Sequence, residues 1–341
     1  MSSLRVAING FGRMGRIFTR IAWDNPAFEL VAINSRSDAD IYAHLLKYDS
    51  IYGPWEHEVG FAQNEALVID DQRIPLHHED EVESAPWGEY EVDVVIESTG
   101  VFRGRAASEK HLEAGAKYVL ITAPAKDEDA TLIFGMNHEQ FDPADHRIVS
   151  AASCTTTCAA PVIQILHDTF DVKHGYIMTA HAYTNDQHLV DHPHVKHDFR
   201  RSRAASLSIV PTETGAAKTI GKIIPELQGK LDGMALRVPV EIVSVINVVA
   251  EVGRRVTADE VNNAYRQAAK TPRYQKSFTV SELPLVSVDY TRNPYGSALD
   301  LLSTQVIDGT QVSVLSWYDN EWGYVSQLTH LLEYMGAKIK L

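Results

Sequence analysis

Residues 4–15 read LRVAINGFGRMG, an apolar run from Leu4 to Ile8 that breaks into Asn9-Gly10-Phe11-Gly12-Arg13-Met14-Gly15. The glycines follow G-x-G-x-x-G. Before them lies a strand candidate. After them a helical run is predicted from Arg16 to about Asp24, and FELVAIN (Phe28–Asn34) reads as a second strand. In such a unit one glycine makes the tight turn, one lets the backbone approach a pyrophosphate, and one lets the helix pack on the strand. The helix N-terminus then faces the phosphates. Asn9 to Gly15 are therefore candidate cofactor contacts, with a purely structural glycine turn as the competing reading.

The end of the second strand departs from the commonest pattern. A carboxylate about 20 residues past the glycines usually bonds the ribose hydroxyls of NAD. Here the chain reads Asn34-Ser35-Arg36-Ser37, with no carboxylate before Asp38. Asn34 can still bond the adenosine side. Ser35 carries no charge to repel a 2′-phosphate, and Arg36 offers a guanidinium fork to one. Dual use of NAD and NADP is expected, against a reading in which Arg36 is solvated and Asp38 takes the ribose.

Further along, DVVIESTG (93–100) and KYVLITAPA (117–125) read as strands, with helical stretches near 41–47 and 106–114. This alternation predicts an α/β fold with a Rossmann-type, doubly wound parallel sheet covered by helices on both faces. Ser98, Thr99 and Gly100 lie where such sheets bind ligands, beyond the carboxyl ends of the strands.

The whole chain has 341 residues, enough for two domains, with 45% hydrophobic and 22% charged residues. Its net charge of −14 argues against binding nucleic acid or membrane over the general surface. The start carries no apolar signal region and no run is long enough to span a membrane, so a cytoplasmic protein is expected.

Both cysteines sit in ASCTTTC, residues 152–158. HRIVSAAS before them reads as a strand and CAAPVIQILHDTF after them as a helix, with Pro161 a candidate kink. Cys154 is thus placed at a helix N-terminus among capping hydroxyls, where the dipole and free N–H groups favour a thiolate. Cys158, a turn further in, reads as a buried small residue. Two cysteines make neither a disulfide framework nor a metal site. A base is supplied by GYIMTAHAYTNDQ, a strand from Gly175 that runs into His181. Cys and His need only meet in space.

Taken in order, NGFGRMGR, LLKYDSIYG, STGVF, ASCTTTC, HAYTNDQ, TGAAK, GMALRVP and SWYDNEWGY resemble the phosphorylating glyceraldehyde-3-phosphate dehydrogenase family over essentially the whole chain. The resemblance implies an oxidoreductase that converts D-glyceraldehyde 3-phosphate to 1,3-bisphosphoglycerate through a thioester on Cys154, with His181 as base and hydride passing to NAD or NADP. It implies Thr184, Asp186 and Arg237 around the substrate phosphate. Ser153, Thr155, Thr214, Gly215 and Arg201 would line or border the site of the attacking phosphate. It further implies Asn320 at the nicotinamide carboxamide and Tyr324 beside the ring. The expected domains are residues 1–153 with a returning C-terminal helix, 320–341, and an α+β catalytic domain, 154–319. A homotetramer is expected, with the polar loop Tyr183–Arg203 buried in a partner. No metal is expected at His188, His192, His194 and His197.

Three positions depart from the family's pattern: Thr157, Glu213 and the Asn34-Ser35-Arg36 run. A carboxylate at Glu213 would oppose phosphate unless it points outward. The nearest rival is erythrose-4-phosphate dehydrogenase, against which HAYTNDQ and TGAAK speak. A non-catalytic scaffold on the same fold is opposed by the joint presence of Cys154, His181, Arg237 and Asn320.

Overall fold

The computed structural model describes residues 3–63 and 65–339. The chain divides into two compact units. One runs to Ala152 and includes the segment from Leu328, and the other is Ser153–Gln327. The second unit runs past the expected 319: the Gln327 amide donates to the carbonyls of Lys276 and Pro294, which holds the start of the last helix, Trp322–Ile339, in that unit.

In the first unit, strand Leu4–Asn9 leads through the glycines to helix Arg13–Ala22 and strand Phe28–Asn34. The helix starts inside the motif, three residues before the expected Arg16, because Gly12 is extended and serves as the N-cap. Gly15 is required for packing: a Cβ there would lie 2.7 Å from the Gly10 carbonyl oxygen. The nine-stranded sheet has the order Ala130–Thr131, Ile148–Ser150, Tyr118–Ile121, Val94–Glu97, Leu4–Asn9, Phe28–Asn34, Gln72–His77, Ala66–Ile69, Val59–Ala62. Its first seven strands are parallel, and an antiparallel hairpin closes the Val59 edge. Val6, Ile8, Ile33, Val95 and Val119 are buried, as strands covered on both faces require. The order reverses beside Leu4–Asn9, where Asn9 is in register with both Asn34 and Glu97. That reversal is the ligand-binding point of such sheets. Helices Ala39–Lys47 and Arg105–Glu113 lie close to the expected positions.

The second unit is a seven-stranded mixed sheet in the order Val210–Glu213, Leu231–Val238, Val172–Ala182, Ser244–Val252, Gln311–Tyr318, Ser297–Ile307, Phe278–Ser281. Helix Cys154–Phe170 packs on the central strands. It runs unbroken through Pro161. Strand Ser244–Val252 alternates between fully and partly buried residues, the pattern of a sheet with one face in the core. The strand bearing the base candidate pairs in parallel with Leu231–Val238, in a register that sets His181 beside Arg237. The fold is thus α/β with a Rossmann-type first unit, a mixed α+β second unit and a C-terminal helix whose last turns belong to the first unit.

Candidate active site

The carboxyl edge of the first sheet is built around the glycine turn. Gly10 has φ +93°, a conformation only glycine adopts easily. A Cβ on Gly10 would lie 2.7 Å from the Thr99 nitrogen, so Thr99 backs directly on the turn. Ser98 Oγ donates to the Gly10 carbonyl at 2.6 Å. A Cβ on Gly12 would meet nothing within 4 Å, and the helix it caps has no side-chain cap and no acidic residue in its first turn. That open N-terminus fits a pyrophosphate, so the residues suit a bound dinucleotide. Arg13, by contrast, is engaged by Asp49 at 2.8 Å and lies over the Tyr52 ring. Met14 is half-buried.

The second strand's end is arranged differently from the sequence reading. Asn34 is buried. Its amide donates to Asn9 Oδ1 and the Glu79 carbonyl, and its oxygen accepts from the Glu79 N–H, so the side chain is bonded within the protein. Ser35 Oγ accepts from the Phe11 N–H at 3.0 Å and bonds the Tyr42 hydroxyl at 2.5 Å, tying the loop to the helix behind it. Arg36 is exposed and pairs with Asp80 at 2.9 Å. Asp38 is exposed at the N-cap of helix Ala39–Lys47.

In the second unit the chain turns sharply into helix Cys154–Phe170. Ala152 takes φ +58°, an uncommon conformation for a residue with a Cβ. Ser153 is the N-cap, its Oγ accepting from the Thr156 N–H at 3.2 Å, a bond worth about 1 kcal/mol. Cys154 is therefore the first helical residue. Its Sγ lies 3.4 Å from His181 Nε2. Burial raises the thiol's pKa, and this outweighs the lowering by Arg237 and by the N–H groups of Thr155 and Cys154. The capped helix end alone predicted the opposite direction. The dipole acts here, but loss of water acts more strongly. Cys158 is fully buried, its thiol pushed up to about 12 by burial, with Sγ 3.6 Å from Ser297 Oγ.

His181 is buried, and burial together with Arg237 lowers its pKa to about 3. Its Nδ1 lies 2.7 Å from the Ala182 carbonyl and 2.8 Å from Arg237 Nη1. These neighbours make opposite demands, since a carbonyl only accepts and a guanidinium only donates. Arg237 Nη1 has the Ala182 carbonyl and Thr184 Oγ1 to bond instead, at 3.1 and 3.2 Å. We therefore assign the proton to Nδ1, donated to Ala182. Nε2 is left as an acceptor facing the thiol. Neutral imidazole and neutral thiol can exchange one proton within the pair. A thiolate 3.4 Å away then supports the imidazolium that forms.

From Arg237 a polar chain continues outward. Thr184 donates to Asp186, and Arg201 pairs with Asp186 at 2.7 Å. Burial raises the Asp186 pKa, but the bond from Thr184 and the charges of Arg237 and Arg201 bring the net shift below the ordinary value. Arg237 Nε is buried with no partner among the described residues. A buried guanidinium N–H is costly unless an acceptor reaches it, which suits an anionic ligand. Arg201 is thus tied to this set through Asp186. Thr214 Oγ1 accepts from the Ala216 N–H, and Gly215 opens helix Ala216–Ile223 without a side-chain cap. Thr155 is buried, its hydroxyl bonded to Tyr318 at 3.0 Å. Glu213 is exposed, and Thr157 is buried against Gly296.

With that geometry in place, comparison with known proteins is decisive. Residues 4–105 match the NAD binding domain, and residues 153–320 the C-terminal domain, described for glyceraldehyde 3-phosphate dehydrogenase. The glyceraldehyde-3-phosphate dehydrogenase of Geobacillus stearothermophilus is 49% identical over 98% of this chain and 99% of its own. Glyceraldehyde-3-phosphate dehydrogenase 1 of Bacillus subtilis is 47% identical over the same shares, and glyceraldehyde-3-phosphate dehydrogenase 2 of Streptomyces avermitilis is 45% identical over 99% and 100%. The chain belongs to the glyceraldehyde 3-phosphate dehydrogenase family. It is accordingly an oxidoreductase with an NAD-binding first domain.

The two late residues singled out from the family's pattern both lie inside the second unit. Asn320 Oδ1 accepts from Ser244 Oγ at 3.0 Å, and Ser244 Oγ accepts from the Ala182 N–H beside His181. Tyr324 is buried, and burial and the nearby Cys154 raise its pKa. Ser244, Tyr318 and Thr179 were not singled out from sequence. Tyr318 bonds Thr155 and Thr179, and its ring meets the His181 ring edge-on at 6.0 Å. Strand alternation shows which residues point inward but not which inward hydroxyls meet. His188, His192 and His194 cluster through their rings. Among the described residues no group of His, Cys, Asp or Glu is arranged to hold a metal ion. No helix among them is long and apolar enough to cross a membrane.

Proposed function

We propose that this chain oxidises D-glyceraldehyde 3-phosphate and couples the oxidation to phosphate, giving 1,3-bisphosphoglycerate. The observation that carries the reading is the Cys154 Sγ to His181 Nε2 approach of 3.4 Å at a helix N-terminus. Cys154 adds to the aldehyde carbon as its proton moves to Nε2, and Nε2 returns that proton to the former carbonyl oxygen, forming a hemithioacetal and leaving the ring neutral. His181 then takes the hydroxyl proton as the carbon is oxidised to a thioester. NAD, held at the glycine turn, supplies the hydride acceptor when bound. Phosphate attacks the thioester carbon and the Cys154 thiolate leaves. The Cys154 N–H and His181 face the developing oxyanion. Arg237, Thr184 and Asp186 are proposed around the substrate phosphate. Ser153, Thr155, Thr214, Gly215 and Arg201 are proposed to line or border the site of the attacking phosphate, with the Thr155 hydroxyl leaving Tyr318 to take part. Asn320 and Tyr324 are proposed to hold the nicotinamide.

NAD is the expected main cofactor, with NADP tolerated. No carboxylate stands at Ser35, and the exposed pair of Arg36 with Asp80 is worth at most about 1 kcal/mol, so Arg36 can exchange it for a 2′-phosphate. We further propose a cytoplasmic homotetramer. Leu189, Val190, Val195, Phe199, Leu207 and Ile209 are all exposed on one stretch of the second unit, which supports burial there in a partner subunit. Initial rates with NAD and NADP, with and without phosphate, test the reading. Phosphate-dependent reduction of NAD with glyceraldehyde 3-phosphate is expected. A preference for erythrose 4-phosphate without phosphate dependence would replace it by the rival activity.

A further inference from the structure

One buried charge lies beneath the glycine turn and has no part in the proposed chemistry. Glu97, the last residue of strand Val94–Glu97, is 1% exposed. Four donors meet its carboxylate. Asn9 Nδ2 reaches Oε2 at 2.6 Å and His111 Nε2 reaches it at 3.1 Å. The Thr99 N–H reaches Oε1 at 2.8 Å, and the Thr99 hydroxyl donates to the same oxygen. The protonation of His111 follows from its other neighbour. The Trp87 indole N–H, which can only donate, lies 3.1 Å from His111 Nδ1. Nδ1 is therefore the acceptor, and the proton of the neutral ring sits on Nε2, aimed at Glu97.

The charge has directional consequences on both sides. A carboxylate only accepts, so Asn9 must turn its NH₂ to Glu97 and its oxygen away. That oxygen accepts from Asn34 Nδ2 at 2.8 Å, which orients the second amide in turn. Asn34 then presents its oxygen to the Glu79 N–H and its remaining N–H to the Glu79 carbonyl. The next residue, Asp80, holds Arg36. On the other side Glu97 fixes Thr99, which abuts Gly10, while the neighbouring Ser98 bonds the Gly10 carbonyl. A single anion thus sets the donor and acceptor sense of the sheet edge from Thr99 through Asn9 to Asn34.

We propose that Glu97, oriented by His111 and Trp87, is a positioning residue for cofactor binding: its charge orders the Asn9 and Asn34 amides and the Thr99 backing of the glycine turn. It touches neither cofactor nor substrate. This inference rests on the reading that the first unit binds NAD.

The test is the dissociation constant for NAD, measured by tryptophan fluorescence or calorimetry on the full chain, for wild type, Glu97→Gln and Glu97→Asp. Gln is nearly isosteric but brings a donor into a nest of donors. Asp is shorter yet keeps the charge. If the charge orders the edge, Gln weakens NAD by roughly 10- to 100-fold and Asp by less, with Cys154 alkylation within about two-fold of wild type in both. If Glu97 serves only packing, Asp is the worse of the two and the proposal is overturned. Trp87→Phe, which leaves the carboxylate in place and frees the His111 tautomer, is the variant to use if Glu97→Gln does not fold. A two- to three-fold weakening of NAD is expected there, and unchanged binding overturns the proposal. Absence of NAD binding by wild type would instead overturn the functional reading itself.

Discussion

The carboxyl edge of the first sheet and the thiol site of the second unit treat polar groups in opposite ways. At the first, every amide and carboxylate of the Glu97, Asn9 and Asn34 chain bonds within the protein. What is left open is backbone: the uncapped start of helix Arg13–Ala22. At the second, charged and nucleophilic atoms are themselves left for a ligand. Arg237 Nε is buried with no partner among the described residues, and the Cys154 thiol lies 3.4 Å from His181 Nε2. The contrast follows from the two tasks. A dinucleotide can be held by pre-ordered N–H groups that never change state. A reacting aldehyde and phosphate need groups that accept protons and charge during the reaction.

That contrast is open to disruption at several points. Cys154→Ser should abolish aldehyde oxidation in the standard NADH assay while NAD binding stays within about two-fold, since the thiol is not among the groups proposed to hold the cofactor. His181→Asn should lower turnover by roughly 10²- to 10⁴-fold, the usual contribution of a positioned base. Arg237→Lys keeps the charge but loses the fork, and should raise the KM for the phosphorylated aldehyde about ten-fold. A smaller effect is expected at the first unit, where Arg36→Ala should weaken NADP more than NAD. Kinetics with both cofactors would show this, and equal effects would remove Arg36 from any role in selectivity.

A pH test sharpens the difference further. His181 is lowered to about 3 in the folded chain against 6.5 for an ordinary imidazole. The unfolded chain therefore binds more protons between these values, and the stability due to a neutral His181 is full above pH 6.5 and lost as pH falls toward 3. Urea denaturation should show wild type losing stability relative to His181→Asn between pH 7 and 4. Parallel losses in the two proteins would mean that the ring is not held neutral.

Much of this was legible in sequence, because the decisive signals are local. Glycine spacing after an apolar strand fixed the turn, and a hydroxyl before Cys154 marked a helix cap. The resemblance of whole motifs, rather than spacing, brought Arg237 and Asn320 forward. What stayed hidden depends on register. Arg237 neighbours His181 only because Leu231–Val238 pairs in parallel with Val172–Ala182 at that offset. Glu97 read as one more residue at a strand end, since its four donors come from segments up to 88 residues away. The direction of the Cys154 shift was also beyond sequence. A helix end can be read from residues, whereas the burial that outweighs it belongs to the packed unit.

The most direct measurement is a single turnover with NAD and glyceraldehyde 3-phosphate in the absence of phosphate, followed by mass spectrometry of the protein. The expected result is a burst of NADH equal to the number of chains, an acyl group on Cys154, and its loss when phosphate is added. NADH formed without acylation, or an acyl group on any other residue, would contradict the assignment of Cys154 and His181 as the reacting pair.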